Sequence, residues 1–111
     1  MILKLDSSNF ESYINENSLP VLADFYSDGC IPCRRMSPLI SRAETEYTER
    51  LDFAKVNIGA NPDLVAKYSV EAAPTLIIFK NGEEISRLRG AADEAAFKEF
   101  IDNALLKGEE L

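Results

Sequence analysis

The chain has 111 residues, 46% of them hydrophobic, and this length and composition predict a single globular domain over residues 1–111. Its formal net charge of −7 argues against nucleic acid or an anionic membrane as a partner, and no apolar run is long enough to span a bilayer. The first residues contain no signal-peptide hydrophobic segment and two cysteines are too few for a disulfide-stapled secreted scaffold, so we expect a cytoplasmic location.

The first half of the chain alternates strand and helix patterns. Residues 2–5 predict a short strand, and Ser8 with Glu11 forms a capping box that predicts a helix to about residue 17. The almost unbroken apolar run 21–26 is typical of a strand that is covered on both faces. A long helix is predicted from residue 30 to about residue 48.

The second half continues the alternation and then adds a hairpin. Residues 51–58 predict a strand, and Asn61 and Pro62 suit the N-cap and first residue of a short helix that reaches residue 68. Strand patterns at 75–80 and 84–89 flank Asn81-Gly82-Glu83, which is a strong hairpin signal.

The last helix carries apolar residues at helical spacing from Phe97 to Leu105 and is predicted to end near Gly108. Alternating elements followed by a hairpin predict an α/β fold with a mixed sheet, parallel in its centre, and helices on both faces. In open sheets of this kind, the chemistry takes place beyond the carboxyl ends of the strands.

The only two cysteines form the motif Cys30-Ile31-Pro32-Cys33, directly after the apolar strand 21–26. If Cys30 is the N-cap of the following helix, both sulfurs lie on one side of its first turn, close enough to bond. Free backbone N–H groups and the positive helix end then favour a thiolate on Cys30. Pro32 suits this turn because the N–H that it lacks would have been unpaired. The motif therefore predicts reversible thiol–disulfide exchange.

Other interpretations of the cysteine pair are a structural disulfide, two inert thiols or a zinc site. Tetrahedral zinc takes four ligands, whereas this chain offers two sulfurs and no histidine, so we expect neither a metal nor another cofactor. Arg34 and Arg35 lie where the helix dipole disfavours cations, which suggests a role in holding a thiolate or docking an acidic reductase. Exposed arginines on a solvated face explain them equally well.

Several motifs, taken together and in order, resemble the thioredoxin family from about residue 19 to residue 106, and we expect the resemblance to extend along the whole chain. Two departures stand within the resemblance: Ile31 replaces the usual glycine between the cysteines, and Gly29 replaces the tryptophan before the first one. The matching pieces are the strand 21–26 with its internal acid, the CxPC unit, Pro38, Lys55 in Ala54-Lys55-Val56-Asn57, Ala73-Pro74-Thr75, Phe79-Lys80-Asn81-Gly82 and Gly90.

The resemblance implies the thioredoxin fold, a central mixed five-stranded sheet flanked by about four helices, and a protein-disulfide reductant. Cys30 would be the nucleophile that attacks a substrate disulfide, and Cys33 would be the resolving thiol that attacks the Cys30 sulfur. The partners that it implies are thioredoxin reductase or an equivalent electron donor, and target proteins with disulfides. We expect the protein to act as a monomer.

Asp24 is an ionisable residue within an apolar strand, and Lys55 lies on the strand predicted to neighbour it. Burial would raise the pKa of Asp24 toward neutrality and make it a proton acceptor for Cys33, with Lys55 tuning the carboxylate. An ordinary salt bridge near a sheet end is the alternative. The resemblance favours the catalytic interpretation.

Pro74 follows Ala73 at the start of a strong strand pattern. Sequence alone favours a trans bond, since about 5–6% of X–Pro bonds in folded proteins are cis. The resemblance instead implies a cis-proline loop beside the sulfurs, where the Ala73 backbone pairs with an extended substrate. It also assigns Gly29, Ile31, Pro32 and Gly90 to the surface that contacts partners, although a plain turn explains Gly90 as well.

Two other functions fit the same motifs. The first is a thioredoxin-like binding or adaptor module that no longer turns over, which the joint presence of Asp24, Lys55, Pro74 and both cysteines disfavours. The second is a thiol oxidase or isomerase, whose relatives usually carry histidine before the second cysteine, where this chain has Pro32. A reductant is therefore the preferred interpretation.

Overall fold

The computed structural model describes residues 2–110 and places five strands and four helices within them. Each predicted element is present; the strands 21–26 and 75–80 have the predicted bounds, and the ends of the other elements differ by one or a few residues. The strands are β1 (Leu3–Leu5), β2 (Val21–Tyr26), β3 (Asp52–Asn57), β4 (Thr75–Lys80) and β5 (Glu83–Arg89), and the helices are α1 (Phe10–Glu16), α2 (Ile31–Glu46), α3 (Pro62–Lys67) and α4 (Glu94–Glu109). Among these helices, none is both long enough and apolar enough to cross a membrane.

The strands form one mixed sheet in the order β1-β3-β2-β4-β5. Strands β1, β3 and β2 run parallel to one another, whereas β4 pairs antiparallel with both β2 and β5. The mixed sheet is thus confirmed, but the expected parallel centre is wrong, because central β2 has a parallel neighbour on one side only. Strand β3 ends beside Tyr26 and β4 starts beside Phe25, so the chain passes from β3 to β4 at the same end of the sheet and β4 runs antiparallel to β2.

The hairpin between β4 and β5 turns through Asn81 and Gly82 alone, because Glu83 already pairs with Lys80 as part of β5. Asn81 has φ 52° and Gly82 φ 82°, so both residues occupy the left-handed region. Asparagine and glycine tolerate this conformation better than other residues, which explains the strength of the hairpin signal.

The predicted capping box of α1 is wrong, although the helix itself is present. The helix begins at Phe10 with Asn9 at the N-cap, and no side chain caps it. The Asn9 side chain instead accepts a hydrogen bond from the Asp6 backbone N–H at 2.8 Å, and Ser8 Oγ donates to the Asp6 carboxylate. These bonds close the preceding loop and compete with the cap.

Two apolar layers cover the two faces of the sheet. Helices α2 and α4 pack on one face around Leu22, Met36 and Phe97, and helices α1 and α3 pack on the other around Phe10 and Phe25. Side chains alternate between the faces along a strand, so Asp24 points to the same face as Leu22. This alternation places Asp24 on the α2 side of the sheet, where the cysteine motif lies.

Candidate active site

The cysteines form a disulfide at the start of α2, just beyond the carboxyl end of β2, with a Cα–Cα distance of 5.2 Å. Cys30 is the N-cap, as predicted, and its sulfur accepts a hydrogen bond from the Cys33 backbone N–H at 3.1 Å. Both cysteines are half-buried. The helix start thus aims a donor and its positive end at the Cys30 sulfur.

The Ala73–Pro74 peptide bond is cis, as the family resemblance implied and against the expectation from sequence alone. The Ala73 carbonyl oxygen lies 3.6 Å from the Cys30 sulfur. Pro74 is buried, and its carbonyl accepts a hydrogen bond from the Gly90 backbone N–H at 2.7 Å. Ala73, Pro74 and Gly90 therefore meet next to the disulfide, although they come from two separate loops.

Asp24 and Lys55 are paired in register on the neighbouring strands β2 and β3. Burial raises the pKa of Asp24 to about 6, and the positive charge of Lys55 opposes this rise. Within residues 2–110, no group donates a hydrogen bond to the buried Asp24 Oδ1. The Lys55 ammonium instead lies 5.9 Å from the centroid of the Tyr26 ring, in cation–π range, so Lys55 acts on Asp24 through charge rather than through a hydrogen bond.

A groove of about 250 Å³ opens beside the disulfide. It brings together Cys30, Cys33, Lys55 and Gly29 from the sequence-based set of site residues. The other predicted site residues are not among its lining residues, namely Asp24, Ile31, Pro32, Ala73, Pro74 and Gly90. The full lining consists of Tyr26, Ser27, Asp28, Gly29, Cys30, Cys33, Arg34, Ser37 and Lys55.

Sequence reasoning missed four of these lining residues, namely Tyr26, Ser27, Asp28 and Ser37. Ser27 and Asp28 could have been found from their position directly after a buried strand, because folds of this kind have their active sites at the carboxyl ends of the strands. Asn57 at the end of β3 donates to Asp28 Oδ2 at 3.3 Å, which ties the two strand ends together. Ser37 lies four residues after Cys33 and therefore shares its face of α2.

The two departures from the family pattern lie at the exposed rim. Gly29 has φ 70°, in the left-handed region, and a Cβ there would contact no atom within 4 Å. The Ile31 side chain is 61% exposed, and Pro32 beside it is exposed as well. The surface around the sulfurs is thus open and carries one apolar side chain.

Within residues 2–110, no cluster of three or more cysteine, aspartate or glutamate side chains could hold a metal ion.

The sequence of the chain is similar to those of known proteins. A family model described as Thioredoxin matches residues 1–103. The thioredoxin of Acidithiobacillus ferridurans is 36% identical over 104 residues, which cover 94% of this chain and 96% of that protein. The thioredoxin of Buchnera aphidicola is 35% identical over 101 residues, or 91% and 93% of the two chains, and that of Porphyra purpurea is 32% identical over 101 residues, or 91% and 94%. The chain, with its Cys30–Cys33 disulfide at the start of α2, therefore belongs to the thioredoxin family of thiol–disulfide oxidoreductases.

Proposed function

We propose that Cys30 is the attacking nucleophile and Cys33 the resolving thiol of a protein-disulfide reductant. The observation that carries this assignment is the Cys33 N–H, which donates to the Cys30 sulfur at 3.1 Å at the N-terminus of α2. A negative charge on Cys30 gains this hydrogen bond and the favourable helix end, whereas Cys33 lies within the first turn. Cys30 is therefore the better thiolate of the two.

The reaction proceeds in two exchanges. The Cys30 thiolate attacks one sulfur of the target disulfide, which forms a Cys30–target bond, breaks the target S–S bond and releases the second target sulfur as a thiolate. Cys33 then loses its proton and attacks the Cys30 sulfur, which releases the first target sulfur and forms the Cys30–Cys33 disulfide. The target has gained two electrons, and the protein has reached the oxidised form seen in the structure.

Asp24 is the proposed acceptor of the Cys33 proton. Its pKa of about 6 makes it a carboxylate near neutral pH and a stronger base than an ordinary aspartate. The chain has no histidine that could do this work. Lys55, paired with Asp24 in register and lining the groove next to Cys33, holds the positive charge that stabilises the carboxylate.

The proposed partners are proteins with disulfides as targets, and thioredoxin reductase or an equivalent donor that returns two electrons to the disulfide. The Ala73 backbone pairs with an extended target segment, and the rim residues Gly29, Ile31, Pro32 and Gly90 contact it together with Pro74. The protein would thus take part in electron transport and redox homeostasis. The proposal includes a reducing compartment, the cytoplasm, where the dithiol form is maintained, and a single-domain monomer as the working unit.

The test is to trap the first intermediate. With oxidised insulin as the target, Cys33→Ser should accumulate a mixed disulfide through Cys30, whereas the matched variant Cys30→Ser should accumulate none. Trapping through Cys33 would reverse the assignment. A wild-type protein that fails to reduce insulin would point to a binding or adaptor module instead.

A further inference from the structure

Three consecutive carbonyl groups of the loop before β4 have three different partners. The Ala72 carbonyl accepts a hydrogen bond from the Thr75 hydroxyl at 2.6 Å, and the Pro74 carbonyl accepts one from the Gly90 N–H at 2.7 Å. Between them, the Ala73 carbonyl faces the Cys30 sulfur at 3.6 Å. The middle carbonyl is therefore held at the sulfur by anchors on both of its neighbours.

Thr75 is a rigid anchor. Its side chain is 1% exposed, and its backbone pairs with Phe25 of β2 on one side and with Arg89 of β5 on the other. A hydroxyl on the first residue of β4 thus ties the loop to the middle of the sheet. This hydroxyl takes no part in the two proposed thiol–disulfide exchanges.

We infer that Thr75 is a positioning residue of the site, whose hydroxyl holds the Ala72–Pro74 loop so that the Ala73 carbonyl stays against the Cys30 sulfur. The inference rests on the proposed role of Cys30 as nucleophile. Thr75 acts through the loop and touches neither the sulfur nor the target.

The position of the Ala73 carbonyl matters in the reduced protein. A disulfide sulfur has no proton, so the 3.6 Å approach in the oxidised form is a contact. A Cys30 thiol at the same place donates its proton to this carbonyl, which favours the thiol, while the Cys33 N–H favours the thiolate. The same fixed peptide unit is the one proposed to pair with the target backbone. If the loop loses its anchor, the Ala73 carbonyl no longer favours the protonated Cys30 thiol, so a larger fraction of Cys30 is thiolate. The loop would also bind targets less well.

The experiment compares Thr75→Val, which keeps the side-chain shape but loses the hydroxyl, with Thr75→Ser, which keeps the hydroxyl. The matched control is Tyr47→Phe, which removes another buried hydroxyl, the donor to Asp102 at 2.7 Å, at the other end of α2 about 24 Å along its axis. The charged and titratable groups that line the groove at the sulfur, namely Tyr26, Asp28, Arg34 and Lys55, stay the same in every variant, as does Asp24 in register with Lys55.

Two readouts separate positioning from stability. Thr75→Val should raise the KM for oxidised insulin about three- to tenfold with little change in kcat, the factor that corresponds to loss of one hydrogen bond. In the reduced protein, it should speed iodoacetamide alkylation of Cys30 at mildly acidic pH by a similar factor. Thr75→Ser should match the wild type in both readouts, and Tyr47→Phe should lower only the urea midpoint.

Three results would overturn the inference: Thr75→Val equal to the wild type in both readouts, Thr75→Ser as impaired as Thr75→Val, or Tyr47→Phe raising the KM as much as Thr75→Val. A wild-type protein that does not reduce insulin would overturn the proposed function instead. In that case, the alkylation rates, which need no turnover, still decide whether Thr75 positions the loop at Cys30.

Discussion

Asp24 is a carboxyl group in a place where its charged form is poorly solvated. Because burial raises its pKa from 3.8 to about 6, the folded protein keeps a proton that the unfolded chain has already released between these two pH values. The free energy of unfolding therefore falls as pH rises through this window, and the loss is complete above pH 6.

Asp24→Asn should remove this loss. We expect the variant to be more stable than the wild type by about 2 to 3 kcal/mol above pH 6, with the difference vanishing below pH 3.8. Urea unfolding of both proteins across this range measures the difference. Glu99→Gln, which removes an exposed carboxylate, is the control and should show no such pH-dependent gain. A constant difference between Asp24→Asn and wild type at all pH values would contradict the burial argument.

The same substitution should also slow the second exchange at neutral pH, because an amide cannot accept the Cys33 proton. The rate at which a preformed mixed disulfide resolves, followed against pH, measures this step. An unchanged pH–rate profile would remove Asp24 from the mechanism and leave Cys33 to lose its proton to water.

Ile31 places an apolar side chain, 61% exposed, next to the disulfide. Such a residue beside a nucleophile is typical of a contact surface, so Ile31→Ala should lower kcat/KM with the reductase and with protein targets more than the rate with dithiothreitol. Leu106→Ala is a matched control, because Leu106 is also 61% exposed but lies on α4 near Tyr47, at the end of α2 opposite the disulfide. Equal proportional losses with protein partners and with dithiothreitol would mean that Ile31 tunes only the disulfide.

At the scale of the helices, α2 and α4 use the same capping geometry for different purposes. Asp93 caps α4 with an ordinary carboxylate that accepts from the Ala96 N–H at 2.8 Å. In α2, the corresponding acceptor is the Cys30 sulfur, a weaker acceptor than oxygen. The reactive group thus occupies a position that elsewhere serves stability.

Because the Cys30 side chain caps α2, two variants that lack the nucleophile should differ in their free energy of unfolding. Cys30→Ser supplies a hydroxyl to accept the Cys33 N–H, whereas Cys30→Ala leaves this donor uncapped, and neither variant can form the disulfide. We therefore expect Cys30→Ser to be about 1 kcal/mol more stable than Cys30→Ala in urea unfolding. Equal stability would mean that the cap at the start of α2 contributes nothing to the fold.

At the scale of the whole molecule, the aromatic cluster and the proposed catalytic carboxylate lie on opposite faces of the sheet. The layer under α1 and α3 holds Phe10, whose ring packs against Phe25, Tyr68 and Phe79 at centroid distances of 5.8, 5.3 and 5.6 Å. The proposed catalytic carboxylate points to the opposite face. Stability and chemistry can therefore be perturbed separately.

Phe10→Ala should cost about 3 to 5 kcal/mol, a large part of the stability of a domain of this size. The fraction that remains folded should keep the wild-type kcat/KM, because the cavity lies across the sheet from Asp24. Urea unfolding and insulin reduction under strongly folding conditions measure the two effects. Leu3→Ala, at a side chain that is 41% exposed, is the control and should leave stability nearly unchanged. A loss of kcat/KM in the folded Phe10→Ala protein would show that the two layers are coupled.

Local patterns were enough to predict the order of elements and the centre of the candidate site. Apolar patterns predicted the strands and α4, and end signals at Ser8 and at Asn61-Pro62 predicted α1 and α3. The Asn81-Gly82 turn predicted the hairpin, and the spacing of Cys30 and Cys33 predicted two sulfurs on one helical turn. Helix ends were less predictable. The side chains of Ser8 and Asn9 had loop partners that compete with the cap.

What the sequence by itself determined were features set by near neighbours in the chain, above all the Cys30–Cys33 pair at a helix N-terminus. The tertiary structure alone decided the antiparallel pairing of β4 with β2. It also set the size of two effects whose direction was predicted: the pKa of about 6 for Asp24, and the 3.6 Å approach of the Ala73 carbonyl to Cys30, which lies 43 residues earlier in the chain. Burial and long-range contacts depend on how separate elements pack. Spacing along the chain sets which groups lie on one turn, and packing sets which of them meet and how well water can solvate their charges.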